Sequence, residues 1–64
     1  MENDMNLEWL TQASEADLRQ ERKNALIRAQ QYVDHGALRT AERARRCSQA
    51  CDMELQRRAV EARL

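Results

Sequence analysis

Proline is absent from this 64-residue chain and glycine occurs once, at Gly36. Almost nothing is left to punctuate β-turns or long loops, so a strand-rich fold is excluded. Phenylalanine is also missing, and Trp9 and Tyr32 are the only aromatic residues. No apolar run approaches the roughly 18 residues that a membrane span needs. Neither sign of charge prevails, since 11 Lys and Arg balance 11 Asp and Glu. The opening Met1-Glu2-Asn3-Asp4 is acidic, unlike a secretory n-region or a basic transit peptide, and points to a cytosolic protein. Met1 to about Met5 are expected to fray. The two cysteines, Cys47 and Cys51, stand one helical turn apart. Side chains so placed run along one helix face, which suits a mutual disulfide poorly, and in a reducing cytosol they fit small gaps as thiols.

Alanine is plentiful, at ten positions from Ala13 to Ala62, and a third of the residues are charged. Alanine is the best helix former but contributes little buried area. A short chain of this kind forms helices readily and builds a thin core, so it is expected to work as a subunit with a partner.

The apolar spacing defines the helices. Leu7, Leu10 and Ala13 have helical spacing, and Ser14-Glu15-Ala16-Asp17 resembles a capping box with Asp17 in the place of the usual Glu or Gln. Either a helix starts at Ser14 or an earlier one continues through it. Leu18, Ala25, Ala29 and Tyr32 form one stripe, flanked by Leu26 and Val33 and interrupted by Arg22. Asp34-His35-Gly36 closes the first helix, with Gly36 suited to the left-handed conformation. The second stripe reads Ala37, Ala41, Ala44, Ser48, Cys51, Leu55, Ala59 and Ala62. The expected fold is therefore all-α, a single domain over 1–64 built as an antiparallel two-helix hairpin. Its first helix covers about 7–35, the turn falls near Gly36, and the second helix covers about 38–63. Up to Gly36 there are seven acidic and four basic side chains; after it there are seven arginines and four acids. The opposed charges favour pairing of the two halves modestly.

Little in the chain suits catalysis or metal binding. His35, Cys47 and Cys51 are the only soft ligands, whereas a structural zinc site takes four in tight pairs. There is no glycine-rich phosphate loop, and carboxylates such as Asp52 and Glu54 face different sides of a helix. No cofactor is expected, and the chain is expected not to be an enzyme. Arg39, Arg43 and Arg46 follow helical spacing, and Arg57 and Arg58 extend a basic strip that could track phosphates. Glu42, Glu54 and Glu61 interleave with it, which favours a solvated face over nucleic-acid contact.

One stretch resembles a known family. Ala25-Leu26, Ala29, Val33 and Gly36-Ala37 are similar to the corresponding residues of the YscE/PscE/EscE family of type III secretion co-chaperones. With the turn one residue shorter, Ala50-Cys51-Asp52 and Leu55 fall where that family tends to show Ala-Leu-Glu and a later aliphatic residue. The chain departs from the family early in the second helix, where Ala41, Glu42 and Arg43 replace an aromatic and a Gln-Tyr pair, and at Cys51, which replaces a leucine. The resemblance implies a very small cytosolic hairpin that pairs with a larger TPR-like chaperone, the pair holding the needle-forming subunit unpolymerised. Leu18, Leu26, Ala29, Tyr32, Val33 and Leu55 are the candidate partner-binding residues, with Gly36 at the turn. Alone, the chain is expected to be helical but of low stability, or to self-associate, because its large apolar side chains are few. The competing expectation is a homodimeric hairpin of the Rop type that contacts RNA through its arginine-rich second helix.

Overall fold

In the computed structural model, which describes residues 7–64, all regular structure is helical. The fraying expected of Met1 to Met5 lies outside the described residues. Three helices follow one another: α1 Leu7–Gln12, α2 Glu15–Asp34 and α3 Leu38–Arg63. The long helices α2 and α3 pack together in a hairpin-like pair, and α1 lies against α3.

The single first helix expected over 7–35 is interrupted at Ala13 and Ser14. Ser14 is extended, with φ −69° and ψ 160°, and its Oγ accepts the amide of Asp17 at 3.0 Å. Serine at this position satisfies one of the amides that a new helix start leaves open. The capping tetrad therefore prevails over continuation, and α1 is freed to turn onto α3.

Helix α2 closes as a Schellman motif. The amide of Ala37 reaches the carbonyl of Tyr32 at 2.8 Å, and that of Gly36 reaches Val33 at 3.0 Å. Gly36 takes φ +79°, the one positive φ among the described residues. Helix α3 starts directly afterwards with no side-chain cap at Ala37.

The seam between the long helices is made of small side chains. Leu18, Ala25 and Ala29 of α2 are buried, as are Ala41, Ala44, Ser48 and Cys51 of α3. Alanine on both sides allows the backbones to come close at little gain in buried apolar area. Larger side chains gather only towards the open end, where Leu10, Leu18 and Cys51 form a cluster with Ala13, Ala50 and Leu55 packed on it. Arg22, which interrupts the α2 stripe, reaches across the seam to Asp52 at 2.7 Å. The molecule is a slab of 44 × 22 × 15 Å, too thin for most side chains to be covered on every side.

Candidate interaction surface

The large apolar side chains that the seam does not use lie outside. Leu26 is 53% exposed, Ile27 48%, Leu38 66%, Met53 61% and Val60 56%. Leu26 and Val33 stand two turns apart on one face of α2. Leu26 is open to solvent there and Val33 half-buried, while Leu38 begins α3 just beyond the turn. Ile27, one residue past Leu26, points away from that face and from the seam.

The six candidate partner-binding residues therefore separate into two groups. Leu18 and Ala29 lie inside the α2–α3 seam and are unavailable to a partner in this conformation. Leu55 is half-buried against the Leu10–Leu18–Cys51 cluster. Leu26 is accessible, Val33 partly so, and Tyr32 lines a shallow groove of about 180 Å³ with Arg28, Thr40, Arg43, Ala44 and Cys47. Periodicity alone could not separate these groups, because a stripe is a property of one helix whereas exposure depends on its neighbour.

A polar cluster that sequence reasoning missed holds α1 in place. Arg57 donates from Nε to Oε1 of Glu54 at 3.0 Å and from Nη2 to Oε2 at 2.7 Å. Arg58 donates from Nε to the same carboxylate at 2.9 Å. Its Nη2 turns to the carbonyls of Leu10 and Thr11 at 3.0 and 3.2 Å, capping the end of α1. Glu54 keeps only 9% of its surface exposed. The hydrogen bonds from Arg57, then those from Arg58, hold its carboxyl down at about 2, while the Arg57 guanidinium is pushed up by Glu54. The legible signal was the spacing of Glu54, Arg57 and Arg58 at i, i+3 and i+4. Only the fold shows that Arg58 also grips α1.

Three of the five arginines in the basic strip are paired within the molecule, Arg57 and Arg58 with Glu54 and Arg46 more loosely with Glu42. Arg46 faces Glu42 at 3.9 Å on an exposed flank, and Arg39 and Arg43 have no ion pair among the described residues. In the groove, Arg28 is bound to Glu21 at 2.7 Å, which raises its pKa. Cys47 is half-buried and Cys51 fully buried, both as free thiols. Burial, with Glu21 nearby, pushes the Cys51 thiol up and keeps it protonated and unreactive. No group of three or more His, Cys, Asp or Glu side chains converges among the described residues. Among the same residues no helix is long and apolar enough to cross a membrane. No protein-family model, curated protein or solved structure matches the chain.

Proposed function

We propose that the chain is a helical-hairpin binding protein, an antiparallel pair acting as a co-chaperone of a bacterial type III secretion system. Its partner would be a TPR-like chaperone, and together they would keep the needle subunit from polymerising in the cytosol. The observation that carries this reading is the inverted distribution of apolar bulk, with alanine in the seam and Leu26, Ile27, Leu38, Met53 and Val60 outside. A protein that leaves such side chains in water gains stability when another surface covers them. The resemblance around Ala25-Leu26, Ala29, Val33 and Gly36-Ala37 supplies the class of partner. Binding acts by mass action, keeping free needle subunit below its polymerising concentration.

Contact with RNA is the second reading, supported by Arg39 and Arg43, which have no carboxylate partner among the described residues. Against it, Arg57 and Arg58 are tied to Glu54, and the formal charge is zero.

One experiment separates the two. Leu26→Asp and Val33→Asp are expected to abolish capture by the co-expressed TPR-like chaperone and needle subunit, while Arg43→Glu retains it. A carboxylate forced into a dry interface costs several kcal/mol, enough to weaken a complex about a thousandfold or more. An exposed arginine contributes about 1 kcal/mol at most. Each variant is checked for retained helicity. Loss of capture in Arg43→Glu beside its retention in a folded Leu26→Asp would overturn the co-chaperone reading.

A further inference from the structure

The break between α1 and α2 occurs in a segment that is well suited to be a helix. Gln12-Ala13-Ser14-Glu15-Ala16-Asp17 contains no glycine, proline or β-branched residue. Helical hydrogen bonding reaches the break from both sides, through Ala13 to Trp9 and Leu18 to Ser14. Between them, the amides of Ser14, Glu15 and Ala16 find no acceptor among the described residues. The break is confined to Ala13 and Ser14, which alone separate the bent form from one continuous helix over 7–34. The continuous form gains the missing helical bonds and lifts α1 from its seat. That seat is specific: Leu10 is 7% exposed in it, clustered with Leu18 and Cys51 beside Ala50 and Leu55, and Arg58 caps the last carbonyls of α1. An emptied seat exposes that apolar surface, so straightening is favourable only when another segment of the same shape takes the place of α1.

We infer that α1 is an exchangeable arm, and that two copies of this chain dimerise by seating the α1 of each on the α3 of the other. The occupant follows from the seat itself, because the segment it already fits is present in every second copy. Exchange of an identical element retains the packing of Leu10 and adds only the gain at the hinge, which is why swapping is a low-cost route to dimers.

The backbone at the hinge provides a clean test. Ser14 already has the extended conformation that a residue before proline prefers, and residue 15 is the first helical position, where proline is tolerated. Glu15→Pro therefore preserves the bent form and blocks the continuous helix, in which proline costs one bond and clashes with the preceding turn. Ser14→Ala removes the cap that maintains the bend and favours continuity. Sedimentation velocity of the full chain, from roughly micromolar to millimolar concentration, is expected to show a concentration-dependent dimer. Glu15→Pro is expected to weaken association on the order of a hundredfold or more, and Ser14→Ala to strengthen it about tenfold or more. Circular dichroism confirms that each variant keeps its helices. Wild type and Ser14→Ala both monomeric throughout would overturn the proposal. So would a dimer indifferent to Glu15→Pro, which would place the contact between copies on another face.

Discussion

At Glu54 a single carboxylate holds two guanidinium groups and, through one of them, the end of a separate helix. Its value of about 2 in the folded protein lies below the ordinary 4.5. A carboxyl with a depressed pKa contributes stability that is complete above its unfolded value. That contribution is lost as pH falls from about 4.5 through about 2. The melting temperature is accordingly expected to be level above roughly pH 5 and to fall through this window. Glu54→Gln should melt lower than wild type near neutrality, and the gap should close as the solution is acidified. Melting curves of both proteins from neutral to strongly acid pH check this. A gap independent of pH would show that the carboxylate charge is not what holds the cluster.

Among the elements, the connection between α2 and α3 was the easiest to read. One glycine in a proline-free chain, preceded by Asp-His, marks a helix end, and the structure places the Schellman motif there. A Cβ added at Gly36 would meet nothing within 4 Å, so substitution is penalised by its φ of +79° alone. Gly36→Val is therefore expected to cost about 1–2 kcal/mol, and Gly36→Asn distinctly less, because asparagine tolerates the left-handed region. Urea titration of the three proteins measures the difference, and equal midpoints would refute a strained turn. The α1–α2 junction was harder. Ser14-Glu15-Ala16-Asp17 was visible as a capping tetrad, yet Ala13 and Leu10 extend the same helical spacing across it. Local signals of similar strength favoured a break and a continuous helix alike. Burial of Leu10 against Cys51 and the grip of Arg58, contacts from opposite ends of the chain, settled the bent form.

On the scale of the whole molecule, the fully buried large side chains among the described residues are Leu18 and Cys51, with Leu10 nearly so. Burying a leucine stabilises by about 1.5–3 kcal/mol, so this core supplies only a few kcal/mol against the entropy of ordering two long helices. The isolated chain is expected to be helical but of low stability, with a melting temperature that rises with protein concentration as association covers Leu26, Leu38 and Met53. Circular dichroism melts over a hundredfold range of concentration, on the order that mass action needs, test this. A sharp, concentration-independent melt of a strict monomer would count against both the partner surface and the exchanged arm.

The amino-acid sequence by itself determined that this protein is helical, that its longest helices meet at Gly36 and that their shared face is lined with alanine. Each of these follows from short-range physics: helix propensity, the left-handed tolerance of glycine and a periodicity within one helix. Only the tertiary structure decided which apolar residues are spent inside. It placed Leu18 and Ala29 in the seam and left Leu26 in water, although all three belong to the same band of α2. It also turned α1 onto α3 and made Arg58, read as part of a solvated strip, the clasp that holds it. These outcomes depend on which surfaces come within contact of one another across 30 to 48 residues of chain, and no spacing within a single helix encodes that distance.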